Sequence, residues 1–226
     1  MKRFDIITEI DARILARGET VELSRHGHVT PLAQDTLKER RVTVVREGFV
    51  PATEAMLVPV AGIRSVAIAS DHTGVTLRRT LIGYLRGRGL AVQDLGTDGT
   101  DPVDYPDVAA AVARTVARGE ADAGIVIDGA GIGSAIAANK IAGVRAAMAT
   151  SETIARYSRE HNGANVLTLG ATLVSADEAR AIVSTWLNTP MREPRYIARL
   201  AKIRDLEARD DSAPGSWKRA REGDDV

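Results

Sequence analysis

The sequence predicts an α/β protein, a Rossmann-like three-layer sandwich around a parallel sheet of about five strands, with a small N-terminal extension. Two observations predict it. Residues 64–207 alternate short β-rich runs with helical segments, and 123–140, AGIVIDGAGIGSAIAANK, carry an apolar strand into an acid, spaced glycines and a helix. Repeated βα units of that size require parallel strands with helices on both faces, and ligands then bind beyond the carboxyl ends of the strands.

Three regions follow one another. In 1–63, Ile6, Ile7, Ile10, Ile14 and Leu15 recur at helical spacing, so a helix is expected over 5–17, closed by Gly18. TVEL (20–23) reads as a short strand, and Thr30-Pro31 opens a second helix as N-cap and first helical residue. VTVV (42–45) reads as a strand, and 47–63, with Gly48, Pro51, Pro59 and Gly62, as a linker. In 64–207, strands are expected at 65–70, 91–95, 123–127, 143–149 and 165–170. The helices expected there are 75–87, 107–118, 133–141, 151–160, 176–187 and 193–207. The polar stretch 208–226 reads as a disordered tail whose large apolar residue is Trp217.

Thirty basic residues balance thirty acidic ones, so no global field argues for nucleic acid or an anionic membrane. The lack of cysteine excludes disulfides and thiolate catalysis and fits a reducing compartment. No apolar run approaches a membrane span, and MKRFDIITEID lacks the apolar core of a signal peptide, so the chain reads as cytoplasmic.

The chemistry-bearing residues cluster at strand ends. Asp128 ends an apolar strand, and Gly129, Gly131 and Gly133 are expected to leave backbone N–H groups uncovered at the next helix start. An acid beside an anion site suits proton transfer on a phosphorylated or enolisable substrate. The same spacing nearly satisfies a dinucleotide fingerprint through Gly129, Gly131 and Ser134, with Glu152 about where a ribose-binding acid stands. That makes a dinucleotide-binding oxidoreductase the rival reading, weakened by the serine and by a motif that is not on the first strand.

Asp71 and His72, at the end of the first core strand, suit a substrate site, and helix capping by Asp71 is the plain alternative. In the loop GTDGTDPVDYP (96–106), Tyr105 is a candidate ligand contact, while Asp104 and Asp107 suit helix capping. His161 ends a helix before Asn162-Gly163, where the dipole favours its protonated form, so it is a candidate proton donor. Arg195 and Arg199 lie four apart and share a helix face, able to clamp a phosphate or to form, with Lys202 and Arg204, a solvated basic surface.

The order SDHTG, DYP, DGAGIGSAIAANK, SREHNGANVLTLGA, RYIAR closely resembles the type B ribose-5-phosphate isomerase family, which includes galactose-6-phosphate isomerase subunits, over residues 64–207. The resemblance implies an aldose–ketose isomerase converting ribose 5-phosphate to ribulose 5-phosphate through an enediolate, with no metal and no cofactor. It implies Asp71, His72 and Tyr105 on the sugar, and the turn of Gly129, Ala130, Gly131, Ile132 and Gly133 around the enediolate oxygens. His161 would assist ring opening with Asn162 beside it, Arg195 and Arg199 would hold the phosphate, and a homodimer or tetramer would carry sites at its interface. Three positions depart from the pattern. Asp128 stands where many members have a catalytic cysteine, Ser134 where others have a glutamate, and Ala130 where a hydroxyl residue is usual.

A carboxylate serves the same kind of proton transfer, so Asp128 is expected to be the base; the alternative is that it only hydrogen-bonds the Gly-turn amides and no base remains. A non-catalytic family member and an isomerase of another sugar phosphate are the alternatives. The segment GETVELSRHGHVTPLAQDTLKERRVTVV resembles the N-terminal segment of several bacterial microcompartment enzymes, clearest in TPLAQD. That implies packaging among shell proteins, with 1–63 as a targeting or assembly module.

Overall fold

In the computed structural model, residues 2–46, 57–60, 62–99 and 101–207 are described. The expected tail, with Trp217, and most of the expected linker lie outside the described residues. The chain divides into two compact units, Met1–Ala52 and Thr53–Val226.

The first unit runs β1 (Arg3–Ile7), α1 (Glu9–Ile14), β2 (Thr20–Val29), α2 (Pro31–Glu39) and β3 (Thr43–Arg46), with parallel pairing in the order β1-β2-β3. The helix expected over 5–17 is corrected here. Ile6 and Ile7 belong to β1, and the helix starts only after Thr8, whose hydroxyl and the Asp11 carboxylate cap each other's backbone N–H groups. Ile7, Ala12, Leu15, Val21, Leu23, Ala33 and Leu37 form a small separate core. Thr30 precedes α2 as expected, but its hydroxyl donates to Ile7 O rather than capping the helix.

The second unit runs β4 (Ser65–Ser70), α3 (Val75–Gly87), β5 (Ala91–Asp94), α4 (Tyr105–Ala117), β6 (Ala123–Asp128), α5 (Ile132–Ala138), β7 (Ala146–Met148), α6 (Glu152–Glu160), β8 (Val166–Gly170), α7 (Ala176–Asn188) and α8 (Pro194–Glu207). The five strands pair in parallel in the order β5-β4-β6-β8-β7, as the alternating pattern predicts. β6 is buried along its whole length because helices cover both faces. On one face, Leu81 and Leu85 of α3, Ala155 of α6, and Ile182 and Trp186 of α7 pack on Ile68, Ile125 and Leu167. On the other, Val108, Val112 and Val116 of α4 with Ala138 of α5 pack on Ala67, Ala69 and Val126. From the adjacent strands β4 and β6 the chain leaves in opposite directions, which opens a crevice at their carboxyl ends. No helix among the described residues is long and apolar enough to cross a membrane.

Candidate active site

Asp128 ends β6 in that crevice, but its carboxylate does not stand free. Oδ1 accepts from the amides of Ala130, at 2.8 Å, and Gly131; Oδ2 accepts from the Ser134 amide at 2.9 Å and the Ser134 hydroxyl at 2.5 Å. Asp128 (5% exposed), Gly131 and Ser134 are buried, and Ala130 is half-buried. The expectation of uncovered amides beside an open acid is therefore corrected: the acid occupies the seat those amides make. A carboxylate is the one side chain short enough here to offer four acceptor positions to a turn of donors. The first amides of α5, at Ile132 and Gly133, still lack intrahelical acceptors.

The turn is fastened from behind by β8. Thr168 Oγ1 donates to Gly131 O and Thr172 Oγ1 to Gly129 O, both at 2.6 Å, and the Ala171 amide donates to Asp128 O at 2.8 Å. Gly131 has φ +77°, a backbone conformation that favours glycine, and a Cβ there would meet Leu169 C at 2.9 Å. These threonines carry no sequence signal, since only the strand pairing brings them under the turn.

Two further loops reach the same crevice. Asp71 Oδ1 accepts from Thr73 N (2.9 Å), Thr73 Oγ1 (2.6 Å) and Gly74 N (3.3 Å), so it closes the turn before α3 and is not the cap of that helix, whose N-cap is Gly74 without a side-chain hydrogen bond. Among the described residues Oδ2 of Asp71 accepts no hydrogen bond. Gly74 lets this turn press on β6, because a Cβ would come within 2.7 Å of Ile127 Cγ2. His72 Nδ1 accepts from Val103 N at 3.3 Å, tying the imidazole to the loop before α4. Tyr105, 42% exposed, lays its ring on Gly133, where a Cβ would meet it at 2.6 Å. Asp71, His72, Tyr105 and the turn 129–133 are thus brought together within one chain.

His161, Asn162, Arg195 and Arg199 are not part of that group. They precede β8 or pack against the residues that do, so they lie at the amino end of the sheet. A five-residue strand separates the two poles by roughly 15 Å. At this second pole His161 stacks on Tyr157 (centroids 4.7 Å apart) and meets Tyr196 (4.5 Å). The guanidinium groups of Arg195 and Arg199 lie 4.7 and 5.5 Å from the Tyr196 ring centroid. Asn162 Nδ2 donates to Tyr157 O at 3.4 Å. Sequence reading missed both tyrosines, although Tyr157 precedes His161 by one helical turn, the spacing at which side chains meet.

Beneath this pole Arg145 donates to Gly163 O and Leu57 O, and Arg159 to Ala164 O and Val60 O. Burial lowers both guanidinium pKa values, that of Arg159 to about 10, with Arg145 as a repelling neighbour. Arg159 also lies over the Trp186 ring at 4.9 Å. Among the described residues no group of three or more His, Asp or Glu side chains is placed to hold a metal ion.

Exposed apolar residues ring the first pole: Ile132, Ile136 and Leu173 are each more than half exposed. The Ribose/Galactose Isomerase family model matches the chain over residues 66–203, more than half of its length. The chain belongs to that family. It is 40% identical over 147 residues to ribose-5-phosphate isomerase B of Escherichia coli, covering 65% of this chain and 99% of that protein. Ribose-5-phosphate isomerase B of Clostridium thermocellum is 47% identical, with a TM-score of 0.63, covering 64% of this chain and 97% of that one. The Mycoplasma genitalium enzyme, solved with bound ribulose 5-phosphate, is 40% identical with a TM-score of 0.62, covering 64% and 96% of the respective chains. The fingerprint rival loses its footing on these comparisons and on geometry. Glu152 accepts a 2.6 Å hydrogen bond from Thr185, and the Gly-rich turn follows β6 rather than β4.

Proposed function

We propose that the chain is an aldose–ketose isomerase of a phosphorylated sugar, with ribose 5-phosphate its substrate and ribulose 5-phosphate its product. The single observation that carries this reading is an amide-lined turn, at the crevice between β4 and β6, already shaped around an anionic oxygen. In the reaction a sugar oxygen takes the place of Oδ1 at the amides of Ala130 and Gly131. The Asp128 carboxylate swings on Oδ2, which Ser134 continues to hold, and its freed oxygen removes the proton from C2 of the open-chain aldose. The electron pair forms the C1–C2 double bond, the carbonyl π pair moves to O1, and the turn amides stabilise the enediolate. The same carboxyl returns its proton to C1, after O2 has given its proton to O1, and the ketose results. Resting hydrogen bonds of a catalytic acid need not be those of its loaded state. Asp71, with one unengaged oxygen, is the second candidate base, and Asp71→Asn is the variant to compare.

The reading includes a homodimer or larger assembly in which the partner's His161, Asn162, Arg195 and Arg199 complete the site. Its support is the separation of the two poles in one chain and the exposed Ile132, Ile136 and Leu173 around the turn. The test is isomerisation of ribose 5-phosphate by wild type and by mixed variants. Asp128→Asn and His161→Ala are each expected to be inactive alone. Refolded together in equal amounts, they regain about a quarter of wild-type activity, because half of the random dimers carry one intact site. No recovery on mixing removes the shared site, and no turnover of any pentose, tetrose or hexose phosphate by wild type removes the isomerase.

The reading extends to residues 1–63 as a targeting or assembly module that packages the enzyme in a protein shell. It is supported by the separate core of the first unit and by the exposure of Ile10, Ile14 and Leu32 on it. Removal of 1–56 is expected to abolish co-purification with shell proteins, and unchanged packaging would end this part of the proposal.

A further inference from the structure

Arg78 is fully buried in α3, and everything around it leads to the site without touching substrate. Its Nη1 donates to Ser70 Oγ at 3.3 Å, one residue before Asp71. Its Nη2 donates to Asp98 Oδ1 at 2.8 Å, and its Nε lies 3.2 Å from Asp94 Oδ1 without good hydrogen-bond geometry. Gly96 passes directly over the guanidinium: a Cβ there would fall 1.7 Å from Nη1. The loop so gathered continues to Val103, which holds His72, and to Tyr105, which lies on Gly133. A planar fork of five donors is what lets one side chain reach a strand end and two loop carboxylates together.

From this juxtaposition we infer that Arg78 is a positioning residue for substrate binding: it fixes loop residues 94–99 and through them sets His72 and Tyr105 against the Gly-rich turn. The inference rests on the isomerase reading for its kinetic consequence, but not for its structural one. Asp98 has a side chain 76% exposed and also takes Arg79 Nη2 at 3.4 Å, so Asp98→Asn, which keeps an acceptor oxygen, removes the charge from the loop side of the link with little risk to folding.

The experiment compares wild type, Asp98→Asn, Arg78→Met and Arg78→Lys by steady-state kinetics on ribose 5-phosphate and by amide hydrogen exchange without ligand. Asp98→Asn is expected to raise KM about tenfold with kcat within about threefold, and to speed exchange across 95–99 and 101–104 while β4 and β6 keep their protection. Arg78→Met exceeds this on both readouts, and Arg78→Lys, which keeps a charge for Asp94, recovers part of it. In a double-mutant cycle on KM, Arg78→Lys and Tyr105→Phe are expected to be non-additive, since both act through one ring. If Arg78→Met fails to fold, Asp98→Asn decides alone. Unchanged loop exchange and unchanged KM in the soluble variants, with only a lower melting temperature, would make Arg78 a scaffold cation and overturn the inference. If wild type turns over no sugar phosphate, the isomerase reading falls, while the exchange data still judge whether Arg78 holds the loop.

Discussion

Asp128→Asn is expected to lower kcat for ribose 5-phosphate isomerisation by about a thousandfold, within the range for losing a positioned acid–base group. An amide at 128 keeps one oxygen for Ala130 and Gly131 but turns an NH2 group toward the Ser134 amide, donor against donor. Hydrogen bonds to charged groups contribute about 1.5–3 kcal/mol each, so a stability loss of that order accompanies the kinetic one. The two roles of Asp128 separate through Ser134→Ala, which removes one donor to Oδ2 and leaves the carboxylate. If Asp128 only caps the turn, both variants lose activity in proportion to their loss of stability. If it carries the proton, Asp128→Asn loses far more, and exchange of the C2 hydrogen with solvent deuterium stops with it. Persistence of that exchange in Asp128→Asn, together with its loss in Asp71→Asn, would assign the base to Asp71.

Gly170→Ala is expected to have a large effect as well, although residue 170 touches no substrate in any reading. A Cβ there would meet Ala130 C and O at 2.7 Å and Cα at 2.9 Å, all backbone atoms of the turn. Side-chain rotation cannot relieve such contacts, so the turn itself must shift. Overpacking of this kind costs about 1–3 kcal/mol. Misplacement of reacting groups by even an ångström costs about a hundredfold in rate, and a loss near that size is expected. Gly83→Ala is the control: in α3, with nothing within 4 Å of its Cβ position, it should be neutral or stabilising by up to about 1 kcal/mol. Equal behaviour of the two variants in melting temperature and kcat would refute the role given to Gly170.

The parallel core was legible because its signals agree. Buried runs such as AGIVI, a helix stop at Gly87 and Gly89, and regular spacing all point to one architecture. The first unit was less legible: Ile6 and Ile7 fit a helical period by coincidence, and the Thr8–Asp11 box that starts the helix uses an aspartate in place of the commoner glutamate. The seating of Asp128 was legible only as the disfavoured alternative, since composition does not say which way a short carboxylate turns among amides. The separation of His161 from the turn was legible in principle. A residue just before a parallel strand sits at its amino end, and His161 stands five positions before β8. Arg78 left no trace in the motif pattern, because its partners come from a loop whose path depends on the fold.

Leu57 and Val60 give their carbonyl groups to Arg145 and Arg159, the two desolvated cations under the pole that carries His161. A shortened form of the protein begun at the first core strand would strip an acceptor from each guanidinium and weaken the footing of the imidazole above. The practical start of the isomerase body is therefore before residue 57, and a preparation cut at 64 would report a damaged enzyme rather than the contribution of what was removed.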